Sequence, residues 1–220
     1  MASKARGAAG ESYLDRLLSE CHALENGCLW WHEHHPPIRG GTRGESGLPD
    51  REVLWNGRAY LLEAKEEEGT SCSLGRLIKL PKGVKPDHGV TWRQAEEMDL
   101  HTAAGVPCFV VAILTVPYKA PRRRKDGSIS DPGYPGATIA RIVPWPTWRA
   151  LMERAEEQRR SLARWQIESV RLMVRFGPAC ELPPKPEVQA SIPAADLAVM
   201  GWPLRSAHEL LAALRANRDS

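Results

Sequence analysis

Residues 48–65, LPDREVLWNGRAYLLEAK, contain the strongest local structural signal in the chain. Two apolar-rich runs, 52–55 and 58–65, flank the dipeptide Asn56-Gly57. Asn-Gly tolerates the positive backbone angles of a tight primed turn, and such a turn joins antiparallel strands. The stretch therefore predicts a β-hairpin.

Two carboxylates and one lysine are expected to converge on this hairpin. Glu63 and Lys65 are two residues apart, so their side chains leave the same face of the strand, while Leu62 and Ala64 point the other way into the core. Asp50 lies just before the partner strand, and pairing through the turn would bring it back beside Glu63. The usual relief for converging carboxylates is a hard divalent cation, and Mg²⁺ suits a site with two carboxylates and several waters.

This arrangement indicates phosphodiester hydrolysis. A bound Mg²⁺ would polarise a phosphoryl oxygen and hold the attacking water, and Lys65 would orient that water or stabilise the charge on the phosphate. The alternative is an exposed hairpin with scattered charges. On spacing alone the alternative is favoured, because Pro-Asp followed by Glu-x-Lys is a short pattern that often occurs by chance.

Composition limits the remaining possibilities. The chain has 220 residues, of which 42% are hydrophobic and 26% charged, and this is the composition of a globular protein. No apolar run approaches the roughly 18 residues of a membrane-spanning helix.

The first ten residues lack the apolar block of a secretory signal, so we expect a cytoplasmic protein with no membrane partner. Five cysteines without a Cys-x-x-Cys pair fit neither a disulfide framework nor a zinc ribbon.

The pattern along the chain predicts an α/β fold. Helices are predicted over residues 11–25, from Thr91 to about Ala104, over 147–175 and over 206–216; further strands are predicted over 28–31, 106–116 and 138–143. Residues 1–145 would form the core, and residues 146–177 a long helix that packs on this core or on a dimer partner. Residues 178–220 would form a proline-rich linker and a short helical tail.

Several motifs together resemble the PD-(D/E)xK nuclease superfamily, and within it the RecU-type Holliday junction resolvases. Residues 56–58 and 62–66, NGR and LEAKE, are similar to that family's "KGRY…FEAKE" strand. Thr70-Ser71 with Leu74 resembles its "TSFPL" loop. Gln94, Gly105 and residues 109–111, FVV, resemble its "HQ…G…FVI" helix and strand. The similar segments span about residues 10–113, roughly half of the chain.

The resemblance implies a restriction-endonuclease-like mixed central sheet flanked by helices, with a helical C-terminal extension. It implies Asp50 and Glu63 as metal ligands, with the Ala64 carbonyl as another, and Lys65 as the catalytic lysine. Gln94 would position water or the scissile phosphate. Glu11 matches an amino-terminal glutamate near the metal in such resolvases. The implied cofactor is Mg²⁺, with Mn²⁺ as a substitute and no small-molecule cofactor.

The sequence also departs from that family. Only residues 38–48 are available for the long hairpin stalk that enters the centre of the junction, so the resemblance supports nuclease chemistry more strongly than junction selectivity. The family's histidine before the glutamine is Arg93 here. No part of residues 147–220 resembles the family.

Basic residues near the predicted site are candidates for DNA contact, because Lys and Arg neutralise phosphates without reading sequence. The densest basic run lies in the loop after the strand at 106–116, and a solvated flexible loop is its alternative interpretation. The candidate DNA-binding residues are Arg39, Arg43, Lys79, Lys82, Arg93, Lys119, Arg122, Arg123, Arg124 and Lys125.

The residues at 30–35, WWHEHH, admit two further interpretations. Trp30 and Trp31 are candidates for base stacking, but such a pair is more often core, and we favour core positions for both. His32, His34 and His35 suggest zinc, which we disfavour because no fourth ligand has suitable spacing.

We therefore expect a Mg²⁺-dependent, structure-selective DNA endonuclease, most specifically a Holliday junction resolvase that makes paired nicks in four-way junctions. The near two-fold symmetry of a junction favours a homodimer with two sites. One alternative is another nuclease of the superfamily, which would be restriction-like, a repair enzyme or an exonuclease. The other is a non-catalytic DNA-binding module of a recombination complex.

Overall fold

A computed structural model describes residues 2–34, 38–39, 42–43, 49–79, 89–124, 128–131, 133 and 136–217. The side chains of residues 2–12, 38, 39, 42, 43, 123 and 131 lie outside this description. The helices are α1 (Ala2–Leu24), α2 (Trp92–Ala103), α3 (Trp145–Phe176), α4 (Ala194–Leu197) and α5 (Ala207–Ala216). The strands are β1 (Leu29–Glu33), β2 (Ile38–Arg39), β3 (Thr42–Arg43), β4 (Arg51–Trp55), β5 (Arg58–Glu68), β6 (Ser71–Ser73), β7 (Cys108–Val116), β8 (Arg122–Arg123), β9 (Ile129–Asp131), β10 (Ala137–Pro144), β11 (Ser191–Pro193) and β12 (Trp202–Pro203).

Six of the described strands form a mixed sheet in the order β1-β4-β5-β7-β10-β12. The pair β5·β7 is parallel, and the other neighbours in this sheet are antiparallel. Helix α2 lies in the connection between β5 and β7, as parallel strands require a crossover. The predicted mixed α/β fold, with helices flanking a central sheet and a helix near its C-terminal end, is confirmed.

The hairpin of β4 and β5 has the predicted turn. Asn56 and Gly57 both have positive φ, at 50° and 74°. These backbone angles suit a primed turn, whose twist matches that of the flanking strands. Trp55 consequently pairs with Arg58, and Arg51 pairs with Leu62. This register fixes which residues meet at the open end of the hairpin.

Each face of the sheet buries its own hydrophobic cluster. The first cluster packs α1 and α5 against one face and includes Leu17, Leu62 and Leu210, all fully buried. The second cluster packs α2, α3 and α4 against the other face and includes Val110 and Trp148. Strand β7 supplies both clusters with alternate residues, as predicted for a strand covered on both faces.

Residues after α3 contribute to the body of the fold. Strand β11 pairs with β6, and β12 pairs with β10 at the edge of the main sheet. Leu204 and Leu214 are fully buried in the first cluster. The tyrosine hydroxyl of Tyr13 in α1 donates to the Leu204 carbonyl over 2.7 Å. The segment predicted as a linker and tail therefore closes one side of the core.

Two further expectations change in the structure. Helix α1 begins at Ala2, nine residues before the predicted start at Glu11. The predicted core position is wrong for Trp30, whose surface is 51% exposed. Trp31 packs against the first cluster, as predicted. Successive strand residues point to opposite faces, and at β1, the outermost strand of the described sheet, the side that carries Trp30 is exposed.

None of the described helices combines the length and the apolar character that crossing a membrane requires.

Candidate active site

The open end of the β4–β5 hairpin brings Asp50 and Glu63 together. Arg51 pairs with Leu62, so the next pair outward places Asp50 opposite Glu63. The Asp50 carboxylate accepts a hydrogen bond through Oδ2 from the Ala64 backbone N–H over 2.8 Å. This bond anchors Asp50 to β5 beyond the last strand pair of the hairpin.

Glu63 and Lys65 form a buried ion pair on the face of the second cluster. Lys65 Nζ lies 2.5 Å from Glu63 Oε1. The Glu63 side chain is fully buried, and the Lys65 side chain is 16% exposed. Leu62, which precedes Glu63 in β5, points to the opposite face of the sheet and is buried in the first cluster. Because side chains of β5 alternate between the two faces of the sheet, the Glu63 carboxylate and the Lys65 ammonium lie on the same face.

Gln94 connects this pair to the start of α2. Its amide nitrogen donates to Glu63 Oε1 over 2.6 Å. Its amide oxygen accepts from the backbone N–H of Thr91 at 3.0 Å, the Thr91 hydroxyl at 3.1 Å and Lys65 Nζ at 3.3 Å. Because three donors surround the Gln94 amide oxygen, the amide nitrogen is the group that faces the Glu63 carboxylate. The helix start thereby fixes the orientation of Gln94.

The Thr91 cap is the local reason for this geometry. The Gln94 backbone N–H donates to the Thr91 hydroxyl over 3.3 Å, and the Gln94 side chain returns to the Thr91 backbone. This is a capping box, in which two otherwise unpaired groups of the first helical turn satisfy each other. The sequence signal for it is Thr-x-x-Gln at residues 91–94. The sequence indicates Thr91 as a helix start but does not show its role beside the site.

Burial and neighbouring charge perturb both members of the ion pair. Burial raises the pKa of Glu63 above its ordinary value; the Lys65 ammonium opposes this shift, and the Asp50 carboxylate adds to it. Burial alone would lower the pKa of Lys65, but the carboxylates of Glu63 and Asp50 raise it above its ordinary value. Lys65 is therefore a protonated hydrogen-bond donor at neutral pH.

The donor atoms at this site fit a hard divalent cation. Glu63 Oε2 is buried and has no hydrogen-bond partner among the described residues. The Leu61 amide donates to Pro107 beside β7, whereas the Ala64 amide donates to Asp50 on the β4 side. Because the N–H and C=O of a strand residue lie on the same side of the strand, the Ala64 carbonyl also lies on the Asp50 side.

These atoms would form a sparse ligand set. In the part of the chain that the structure describes, no three His, Cys, Asp or Glu side chains form a group that would hold a metal. Two carboxylates and one backbone carbonyl leave several positions of an octahedral ion to water. Mg²⁺ keeps several waters in such sites, so the donor set suits it.

An ion pair beneath Asp50 was missed by the sequence interpretation. Arg51 is 1% exposed, and its Nε and Nη2 donate to Asp15 over 2.6 and 2.8 Å. Its Nη1 donates to the Asp50 carbonyl over 2.8 Å and lies 3.3 Å from Glu33. The available signal was Asp15 between Leu14 and Leu17 on the buried stripe of α1. Arg51 thereby attaches the backbone of Asp50 to the first helix.

The predicted DNA-binding residues whose side chains the structure describes are exposed. Arg93 is exposed on α2, next to Gln94, and Lys79 is exposed after β6. Lys119, Arg122 and Arg124 are exposed around the β8–β9 hairpin, which follows β7.

The remaining predicted site residues are only partly described. Glu11 lies in α1, Arg39 in β2, Arg43 in β3 and Arg123 in β8, but their side chains lie outside the described part. Lys82, Lys125 and His35 lie entirely outside the described residues. For Glu11, metal ligation stays a prediction.

Two comparisons with known proteins bear on the identity of the chain. No protein-family model matches it, and no curated protein matches it either. The functional interpretation therefore depends on the arrangement of Asp50, Glu63, Lys65 and Gln94.

Proposed function

We propose that the chain is a Mg²⁺-dependent DNA endonuclease of the PD-(D/E)xK type that makes paired nicks in four-way junctions as a homodimer. The observation that carries the proposal is the convergence of Asp50, Glu63 and Lys65 at the open end of the hairpin, where Glu63 Oε2 is buried and has no hydrogen-bond partner among the described residues. A merely structural Glu–Lys pair has no need of a second carboxylate at the same point, because like charges repel.

The residues divide the chemistry among them. Asp50, Glu63 and the Ala64 carbonyl would hold Mg²⁺, which supplies Lewis-acid polarisation of the phosphodiester when bound. Lys65 is protonated at neutral pH, so it donates hydrogen bonds and stabilises negative charge rather than accepting a proton. Its position beside Glu63 suits a donor to the phosphate or to the attacking water.

Gln94 acts through Glu63. Its amide nitrogen holds Oε1 of that carboxylate, and Oε2 is left for another partner. A ligand whose orientation is fixed in advance loses less entropy when it binds an ion. Gln94 is therefore a positioning residue for the proposed metal site.

The proposal of a four-way junction as substrate comes from symmetry and resemblance. A junction has near two-fold symmetry and needs two cuts in opposed strands, which two sites in a homodimer would supply. The region that corresponds to the family's long stalk contains β2 and β3, strands of two residues each that pair with one another. These short strands favour a second candidate, a nuclease of the same superfamily with another DNA substrate.

Cleavage of labelled DNA tests the proposal directly. The full chain is incubated in Mg²⁺ with a four-way junction, a flap and a linear duplex of matched sequence. We expect symmetric nicks in the junction and little cleavage of the duplex. Equal cleavage of all three substrates would support the second candidate. Tight junction binding without cleavage in Mg²⁺ or Mn²⁺ would instead support a non-catalytic DNA-binding module.

Two matched variants test the site. Asp50→Asn keeps an oxygen acceptor for the Ala64 N–H but removes the negative charge, so we expect a folded protein whose cleavage falls at least about 1,000-fold, since a metal supplies several kcal/mol of transition-state stabilisation. Glu168→Gln changes an exposed carboxylate on α3, outside the site, and should leave cleavage within about threefold of wild type. Wild-type rates in Asp50→Asn would refute the proposed site.

A further inference from the structure

Three aromatic side chains form a row on the exposed face of β1 and just beyond its end. The rings of Trp30 and His32 are stacked, with centroids 5.9 Å apart and an angle of 2° between their planes. His34 meets His32 edge to face, with centroids 5.5 Å apart. Trp30 is 51% exposed, and its strand partner Leu54 is also exposed. We call Trp30, His32 and His34 the aromatic strip.

The aromatic strip leads to the candidate active site. The His34 backbone N–H donates to the Asp50 carbonyl over 3.1 Å, and His34 Nδ1 lies 2.9 Å from the Pro49 carbonyl. His32 pairs with Glu52, and Trp30 pairs with Leu54, so the strip runs away from Asp50 along β4. The His34 end of the aromatic strip therefore lies beside Asp50 of the candidate active site.

The strip also shares a face of the sheet with that cluster. Leu29 and Trp31 of β1, like Val53 of β4, belong to or pack against the first hydrophobic cluster. Because strand residues alternate between faces, Trp30, His32 and Asp50 lie on the other side, which is the side of Glu63. A DNA strand that reaches Asp50 can continue across the aromatic strip without crossing an edge of the sheet.

The chemistry of the strip suits planar uncharged groups. Its partners on β4 on the same face are Leu54 and Glu52, and His34 Nε2 lies 3.6 Å from a Glu52 oxygen. A carboxylate at this point opposes phosphate binding, whereas aromatic ring faces stack on bases regardless of their sequence.

The size of the strip argues against a second copy of the chain as its occupant. One aromatic side chain contributes no more than roughly 250 Å². Three such rings provide less than the roughly 800 Å² per partner that a stable interface buries. Stacking on single bases needs no more than one ring face for each base.

We propose that the aromatic strip stacks on unpaired bases of the DNA strand that enters the active site. This inference rests on the proposed nuclease function, and it adds a base-dependent contact that neither the metal site nor the basic loops provide. The ligand class is single-stranded DNA, whether a free end or the unstacked bases at a branch point.

Binding of a labelled oligonucleotide to the full chain tests the strip. Fluorescence anisotropy in EDTA, where cleavage is suppressed, compares a thymidine oligonucleotide of about twelve nucleotides with an abasic strand of equal length and charge. We expect wild type to bind the base-containing strand at least about tenfold more tightly, and Trp30→Ala to remove most of this difference. Trp30→Phe should retain most of it. Phe176→Ala, which removes another exposed aromatic ring, is the matched control and should leave it unchanged.

The outcomes separate this inference from the proposed function. If Trp30→Ala binds both strands as wild type does while Asp50→Asn still abolishes cleavage, the strip proposal is overturned and the nuclease stands. If no substrate is cleaved but the base-dependent binding still requires Trp30, the strip stands and the nuclease fails. A change from dimer to monomer in Trp30→Ala with unaltered DNA affinity, measured by sedimentation, would identify the strip as a subunit contact and overturn the inference.

Discussion

Gln94 in α2 donates a hydrogen bond to Glu63 in β5 over 2.6 Å, although 31 residues separate them in the sequence. The donor is held by Thr91 at the start of the helix, and the acceptor is a fully buried carboxylate. The position of the central carboxylate therefore depends on where α2 begins. Helix capping and proposed catalysis are connected through this one amide.

Replacement of Gln94 by alanine should slow cleavage, and because it removes one half of the capping box it should also lower the free energy of unfolding by about 1 kcal/mol without preventing folding. We expect a reduction of about 10- to 100-fold, the range for residues that orient metal ligands. Single-turnover cleavage of a four-way junction measures the rate, and circular dichroism verifies the fold. A titration of Mg²⁺ should show weaker apparent affinity in the variant. Unchanged rate and unchanged Mg²⁺ dependence would exclude a positioning role for Gln94.

Loss of the Thr91 cap should affect both stability and cleavage. Thr91→Ala removes the side-chain cap and should lower the free energy of unfolding by about 1 kcal/mol, and Thr91→Ser should retain the cap. The matched control is Ser206→Ala, because Ser206 caps α5 by accepting from the Glu209 N–H over 3.3 Å. Both alanine variants should lose similar stability in urea, but only Thr91→Ala should cleave more slowly. Equal cleavage rates in Thr91→Ala and Ser206→Ala would contradict the link between the α2 cap and the active site.

The Asp15–Arg51 pair should be a major contribution to stability. Asp15→Asn leaves a buried guanidinium without its bidentate partner and should cost about 2–3 kcal/mol. Glu20→Gln on the same helix breaks an exposed pair with Arg16, at 3.7 Å, and should cost less than about 0.5 kcal/mol. Urea denaturation of both variants checks the difference. A similar loss of unfolding free energy in both variants would show that Glu33 and the Asp50 carbonyl are sufficient partners for the buried Arg51 side chain.

Alkaline pH should destabilise the fold through buried thiols. Burial raises the pKa of Cys21 from 9.0 to about 12. Above pH 9 the unfolded chain therefore releases a proton that the folded chain keeps, and stability falls as pH rises from 9 towards 12. The slope for one such thiol approaches about 1.4 kcal/mol per pH unit. Melting temperatures between about pH 8 and 10.5 should fall less steeply in Cys21→Ala than in wild type. Cys28→Ala, at an exposed thiol, should keep the wild-type slope.

The hairpin could be predicted because its determinants are local. Asn56 and Gly57 specify the turn, the turn sets the register, and the register brings Asp50 opposite Glu63. Gln94 could be connected with them only through a family resemblance, since its contact with Glu63 depends on how α2 crosses from β5 to β7. The roles of these residues remain predictions, although the structure brings them together.

Two features could not be predicted because they depend on residues distant in the sequence: the short strands β11 and β12, and the orientations of Trp30 and Trp31. Strands β11 and β12 have three and two residues and both end in proline, so they form only because β6 and β10 offer free edges. Trp30 and Trp31 are adjacent and chemically identical, and the sequence could not show which of them faces α1. That assignment requires the register of β1 with β4.

Helix α5 lies late in the chain, yet Leu210 and Leu214 complete the cluster against which α1 packs. A ribosome synthesises α1 well before α5. During that interval the apolar stripe of α1 lacks its final cover and is available to chaperones. The proposed nuclease therefore matures only after translation has passed α5, and a polypeptide released early would be a substrate for proteolysis rather than a DNA-cutting fragment.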